Sequence, residues 1–174
     1  QVGCYLMEQL AGLPAEAESA SEFRYRNVYM DRQTLVVAIS QSGETADTVA
    51  AMELARQQGG RLITICNVEG SQAARLAEGT LYMGSGMEIG VASTKTFLAS
   101  LTILNLLAAY LGQERGFLSG QRVRQLMKEL AQVPRLIGEI LAQVGVYPQL
   151  ARRFSNYDHF LFLGRGINAP IALE

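Results

Sequence analysis

The sequence predicts an α/β domain built on a parallel sheet, and three observations carry that prediction. Apolar runs of four to six residues recur at 34–39, 61–66 and 80–83 without the polar alternation of a half-exposed strand. Segments of helical period separate or follow them, at 45–58, 71–77 and 94–111. The strand-to-helix junctions "SQSGET" and "GSGMEIGVAST" are small, polar and rich in glycine. Strands buried on both faces and joined by crossover helices have this texture. A chain of 174 residues can bury a core of its own.

Taken in order, residues 2–10 read as a short helix that Gly12 and Pro14 stop. "EAESASEF", residues 16–23, is polar and reads as an edge strand followed by a short turn of helix. The first buried strand covers 34–39, and Gly59-Gly60 closes the helix after it. The second strand covers 61–66, and a short helix at 71–77 leads to the third at 80–83. In the long helix at 94–111, Phe97, Leu98, Leu101, Leu104 and Ala108 form one stripe, and Ile103, Leu106, Leu107 and Tyr110 form another. Two stripes predict burial from two directions: one by the sheet, the other by a neighbouring domain or a second subunit.

"GQERGFLSGQ", residues 112–121, changes composition and reads as a domain edge. Val123, Leu126, Met127, Leu130, Val133, Ile137, Leu141 and Val144 then keep a helical period, broken or kinked at Pro134, as one long connecting helix or two short ones. Residues 160–163 restart a strand, with Gly164-Arg165-Gly166 as a turn. The expected organisation is a first domain at 1–115, connecting helices at 116–153 and the beginning of a second domain at 154–174, so that the chain reads as a fragment.

Bulk properties narrow the function classes. Fifteen Lys and Arg against sixteen Asp and Glu leave a formal charge of −1, without the basic field that collects nucleic acid. The apolar stretch at 97–111 is interrupted by Ser100, Thr102 and Asn105 and falls short of the roughly 20 residues that span a bilayer. It is expected to be a core helix. No signal-peptide pattern opens the chain, so the cytoplasm is expected. Cys4 and Cys66 are far apart and read as buried free thiols. His159, the only histidine, leaves no metal motif and no Ser-His-Asp triad, and neither metal nor cofactor is expected.

The chemistry concentrates in "ISQSGET". Ser40, Gln41 and Ser42 close a parallel strand, and Thr45 stands where it caps the next helix. Ligands of open α/β sheets bind outside the carboxyl ends of the strands. A helix N-terminus there offers free N–H groups and partial positive charge. With hydroxyls at Ser40, Ser42 and Thr45 and a close backbone at Gly43, the residues read as a cradle for a phosphate monoester; a plain N-cap with turn residues is the alternative. No GxxxxGK[ST] is present, and Gly84, Gly86 and Gly90 give GxGxxxG rather than a dinucleotide fingerprint. In the second loop, "EIGVASTK", Ser93 and Thr94 read as caps, and residues 91–93 stand over the same crevice. Glu44 and Glu88 are the carboxylates available as bases, and each reads as capping.

Together "SQSGETADT", "ICNVEGS" and "EIGVASTKTF", with "ASEFRYR" at 20–26 and "LGRGINAPIALE" at 163–174, resemble the sugar-isomerase (SIS) domains of the isomerising glutamine:fructose-6-phosphate aminotransferases. The resemblance is collinear over nearly the whole chain. It implies a SIS-type three-layer fold, a parallel sheet flanked by helices, with the start of a second SIS domain. It also implies conversion of fructose 6-phosphate and glutamine-derived ammonia to glucosamine 6-phosphate, in a homodimer whose full chain carries a glutaminase domain. On the matching positions Ser40, Gln41, Ser42 and Thr45 would hold the phosphate, and Val91 and Ser93 would contact the sugar. The family's Cys-Gly-Thr-Ser loop is missing, as are its catalytic lysine, glutamate and histidine, which are expected beyond Glu174 or on a partner subunit. Met87 and Ala169 depart from the family's usual residues. A non-catalytic SIS sensor of sugar phosphates and a simple phosphosugar isomerase or deglycase are the rival readings.

Overall fold

The computed structural model of the chain describes residues 1–90 and 92–174. They divide into two compact units, one of Gln1, Gly3 and residues 15–107, the other of Val2, residues 4–14 and residues 108–174.

The first unit holds a three-stranded parallel sheet of order β1-β2-β3, with β1 at Leu35–Ser40, β2 at Arg61–Cys66 and β3 at Gly79–Tyr82. The register aligns Ser40 with Cys66 and Cys66 with Tyr82, so the three strands end at one level. β1 is joined to β2 through a helix at Ala46–Gln57, and β2 to β3 through a short helix at Gln72–Leu76. Right-handed crossovers that step the same way along a sheet put both helices on one face. Met52 of the first and Ala73 of the second accordingly meet Leu62 of β2, with Val36 and Ala38 of β1 packed against them. In the middle of the sheet Thr64 is fully buried and donates its hydroxyl to the Ala38 carbonyl at 3.1 Å, which satisfies a polar group that burial would otherwise penalise. On the opposite face Leu35 and Ile39 remain 45% and 46% exposed, so β1 is covered on one face and not, as the sequence predicts, on both.

No strand forms in "EAESASEF" among the described residues. The segment ends in a single helical turn at Ala20–Phe23, and Arg24 and Arg26 pair with Asp47 and Glu18 at 2.6 and 2.7 Å.

The N-terminal helix is Val2–Leu6, continued as a π-turn at Met7–Ala11 and ended by Gly12 in the left-handed conformation. In chain order the helices named so far are α1 (Val2–Leu6), α2 (Ala20–Phe23), α3 (Ala46–Gln57) and α4 (Gln72–Leu76). The long helix α5 covers Lys95–Glu114 and so runs through the first residues of the expected domain edge. Its last turns belong to the second unit, where the reason is visible: a Cβ on Gly112 would lie 2.0 Å from the Leu10 carbonyl oxygen. Gly112 is a contact residue inside a helix, and Gly116, at φ 68°, follows the helix end.

At 20 residues α5 is long and apolar enough to cross a membrane, contrary to the expectation that this stretch falls short of a span. Along it Ser100, Thr102 and Asn105 bond back to the Thr96, Leu98 and Leu101 carbonyls. Leu104, Ala108 and Ala109 are buried, whereas Leu106 and Tyr110 are exposed, so the second stripe is partly open; Leu98, of the first stripe, is exposed as well.

The rest of the second unit holds α6 (Gly120–Leu130), α7 (Val133–Ala142), α8 (Val146–Phe154) and α9 (Asn168–Leu173). Pro134 stands in the first turn of α7, where its missing N–H costs nothing. The connecting segment is therefore three helices, not one or two. Phe160, Leu161, Phe162 and Leu163 are 60–83% exposed and form no strand: an apolar run becomes a strand only where a neighbour completes its hydrogen bonds.

Candidate functional site

The carboxyl ends of β1 and β2 carry the candidate site. Ser40, the last residue of β1, is 7% exposed, and its Oγ accepts from the Gly43 N–H at 3.0 Å. Ser42 Oγ accepts from the Glu44 N–H at 3.1 Å. These two bonds fold "SQSGET" into a tight turn in which both serine oxygens act as acceptors, so that each hydroxyl still has a hydrogen to donate. Thr45 Oγ1 lies 3.5 Å from Ser40 Oγ, so two hydroxyl groups meet where α3 begins, with Ser42 in the turn between them along the chain. Thr45 is the N-cap residue, extended at φ −64° and ψ 118°, yet its side chain makes no capping bond to the helix. The first-turn N–H groups of α3 are thus left to an external acceptor.

The turn is held from outside by the loop after β2. Because Ser40 and Cys66 are in register, Asn67 falls beside Gln41, and its N–H donates to the Gln41 carbonyl at 3.0 Å. Ala73 N–H donates to the Gly43 carbonyl at 2.9 Å, and Gln72 N–H to Glu44 Oε1 at 2.8 Å. Gly43 has φ 69°, and a Cβ there would stand 2.2 Å from Ser71 Oγ. The Asn67 side chain continues the clamp: Nδ2 donates to the Gly86 carbonyl at 2.7 Å, and Oδ1 accepts from the Ser85 N–H at 3.0 Å. One asparagine therefore ties together the loops that follow all three strands.

The second loop is organised around Glu88. Its carboxylate accepts from the Thr94 N–H at 2.8 Å, the Thr94 hydroxyl at 3.0 Å and the Lys95 N–H at 3.1 Å, and also from the Thr96 hydroxyl. The bond from Thr96, then that from the Thr94 backbone, draws its pKa from an ordinary 4.5 to about 2. A carboxylate so stabilised is a poor proton acceptor near neutrality, and it fills the N-terminus of α5 from within. Ser93 is exposed, and its Oγ lies 2.7 Å from Thr96 Oγ1. Val91 lies outside the described residues.

A depressed folded-state pKa stabilises the native state above the unfolded-state value, and that contribution disappears as pH falls through the folded value. The difference in Tm between wild type and Glu88→Gln is therefore expected to be constant above about pH 5 and to shrink between about 4.5 and 2. Thermal melts across that range test this, and a difference unchanged at pH 3 would refute it.

The structure thus brings Ser40, Ser42 and Thr45 together at one open helix end with Gln41 exposed beside them, and it places Ser93 on a separate loop capped by Glu88. Glu44 and Glu88 are both engaged as acceptors for helix N–H groups, as the sequence reading has them. His159 is exposed, Cys66 is buried and Cys4 is half-buried, so the pair of thiols is less uniformly buried than expected. No His, Cys, Asp and Glu cluster fit for a metal occurs among the described residues. Asn67 and Ser71 were missed as individual residues; aligning the ends of the first two strands would have placed Asn67 beside Gln41. A surface depression lined by Gln33, Leu35, Arg61, Ile63 and Glu78 lies at the opposite, amino-terminal edge of the sheet, away from these loops.

These features define a parallel α/β domain whose strands end, at their carboxyl edge, in a shelf of polar, interlocked loops. Residues 1–110 match the SIS domain family, and the chain belongs to it. It is 48% identical over 170 residues to the glutamine–fructose-6-phosphate aminotransferase [isomerizing] of Mycobacterium tuberculosis, covering 98% of this chain and 27% of that one. It is 43% identical over 172 residues to the same-named protein of Thermus thermophilus, covering 99% of this chain and 28% of that one. The chain thus spans just over a quarter of these curated relatives. The solved C-terminal domain of glucosamine-fructose-6-phosphate aminotransferase from Francisella tularensis superposes with a TM-score of 0.95 at 35% identity, over 98% of this chain and 48% of that one.

Proposed function

We propose that this chain is the sugar-phosphate-binding part of the isomerase region of an isomerising glutamine:fructose-6-phosphate aminotransferase. The observation that carries the reading is the uncapped N-terminus of α3, ringed by the hydroxyls of Ser40, Ser42 and Thr45. A phosphate monoester meets there the N–H groups and partial positive charge of the helix together with hydroxyl donors. Gln41 adds an exposed amide, and the family resemblance assigns contact with the sugar to Val91 and Ser93. The similarity to the mycobacterial and Thermus aminotransferases supports fructose 6-phosphate as substrate and glucosamine 6-phosphate as product.

The division of labour follows from the side chains. The described loops supply neutral binders, while Glu44 and Glu88 are held as acceptors for helix N–H groups. Acid and base steps therefore belong to residues outside this chain or on a partner subunit, and the chain alone is expected to bind without turnover. The organisation proposed with it is a first SIS domain at 1–115, connecting helices at 116–153 and the beginning of a second SIS domain at 154–174. The exposed stripe on α5 suits a homodimer, and the glutaminase domain belongs to the remainder of the full-length protein. A family of sugar-phosphate enzymes, two free thiols and a net charge of −1 fit a cytoplasmic location.

Calorimetric titration with fructose 6-phosphate and glucosamine 6-phosphate tests the reading. Ser42→Ala combined with Thr45→Ala is expected to lower affinity at least about 150-fold, since each of the two lost bonds to a charged group is worth about 1.5–3 kcal/mol. Undiminished binding by the double variant would place the phosphate elsewhere.

A further inference from the structure

The loop proposed to receive a dianion carries two acidic side chains, Glu44 and Asp47 in "GETAD". Glu44 is turned to the backbone of α4 through the Gln72 N–H at 2.8 Å. Asp47 is the second residue of α3, in the first turn whose N–H groups would hold the phosphate. A carboxylate there has two ways to harm phosphate binding. It can bond to the first-turn N–H groups itself, as acidic residues at helix starts do, and its charge repels a phosphate at the same helix end.

Arg24 meets both threats. It comes from the "ASEFRYR" segment, 23 residues earlier, and its Nη1 lies 2.6 Å from Asp47 Oδ1. The guanidinium also lies over the Tyr25 ring, 5.1 Å from the centroid, which limits its freedom. Both side chains are partly exposed, at 32% and 47%, so the pair itself adds little to stability. Its value lies in where it keeps the carboxylate.

We propose that Arg24 is a positioning residue for the phosphate site: by holding and neutralising Asp47 it keeps the N-terminus of α3 free for the ligand's phosphate. The inference rests on the reading of that helix end as the phosphate site. It assigns no direct contact between Arg24 and the ligand.

The test is a charge-reversion cycle, titrating fructose 6-phosphate into the full natural chain that carries this sequence, as wild type, Arg24→Gln, Asp47→Asn and the double variant. At low salt Arg24→Gln is expected to bind about fivefold more weakly, from one unneutralised charge several ångströms from a dianion. Asp47→Asn is expected to bind at least as well as wild type, and the double variant should recover to within about twofold of Asp47→Asn, because the harmful carboxylate is gone. The Arg24→Gln deficit should also diminish at about 0.5 M salt, which a packing defect would not do. Arg24→Lys keeps the charge, is expected to bind nearly as wild type, and serves where Arg24→Gln fails to fold. A double variant as weak as Arg24→Gln, a normal Arg24→Gln, or an Asp47→Asn weaker than wild type each overturns the proposal. Ser42→Ala with Thr45→Ala, titrated alongside, separates the two levels. If it loses binding while the cycle fails, only the role of Arg24 falls; if it binds normally, the phosphate site falls and this inference with it.

Discussion

Gly43→Ala is expected to destabilise the chain by about 3 kcal/mol, lower Tm by about 10 °C and abolish sugar-phosphate binding. Two causes add. At φ 69° any side chain takes on the left-handed penalty, about 1–2 kcal/mol. The new Cβ would also stand 2.2 Å from Ser71 Oγ and 2.6 Å from Ser71 Cβ. Rotating the serine would relieve the first contact but not the second, and would remove the Ser71 cap of α4, which accepts from the Ala74 N–H at 3.4 Å. The chain can escape only by lifting "SQSGET" off the loop after β2, which breaks the bonds from Asn67, Gln72 and Ala73. Thermal melts and titration check both halves. A variant with unchanged Tm and unchanged binding would mean that the turn is not clamped as described.

Gly112→Ala, within α5, is expected to cost about 3 kcal/mol, against the direction of helix propensity. Alanine normally stabilises a helix interior relative to glycine by about 1 kcal/mol. Here the added methyl would sit 2.0 Å from the Leu10 carbonyl oxygen and 3.1 Å from Leu118 Cδ1. The carbonyl belongs to a turn closed by Gly12 and cannot move alone, since Arg115 Nε also holds the neighbouring Ala11 carbonyl at 3.1 Å. Gly138 in α7 supplies the control, because nothing lies within 4 Å of its added Cβ. Gly138→Ala is expected to raise stability by up to about 1 kcal/mol. Denaturant unfolding of the two variants checks the pair; equal effects would show that the clash near Leu10 is relieved at no cost.

These two glycines also mark how far the sequence could be read. An apolar run followed by a helical period reveals a buried strand and its crossover, and the three strands came within one residue of their observed limits. Whether a glycine ends a helix or lets a neighbour approach depends on what lies beside it, and so Gly112 was read as an edge. Residues 160–163 have a strand's composition without the ladder that makes one, because pairing is a property of two segments. Within the site, the hydroxyl cluster was legible because its members fall within six residues of one another along the chain. The partners that hold it were not: Arg24 reaches Asp47 across 23 residues and Gln72 reaches Glu44 across 28, through a register that composition does not display. Glu88 was legible as a cap, but the number of donors it collects depends on Thr94, Lys95 and Thr96 returning to it.

That collection of donors gives the shelf a polarity. Two helices begin above the sheet, and their ends are chemically unlike: the α3 end has no side-chain cap, while the α5 end is satisfied by the protein's own carboxylate. On the proposed function, a molecule charged at one end and neutral at the other lies one way round. The protein would impose head and tail on its ligand before any reacting group approaches, by making the wrong orientation electrostatically unwelcome.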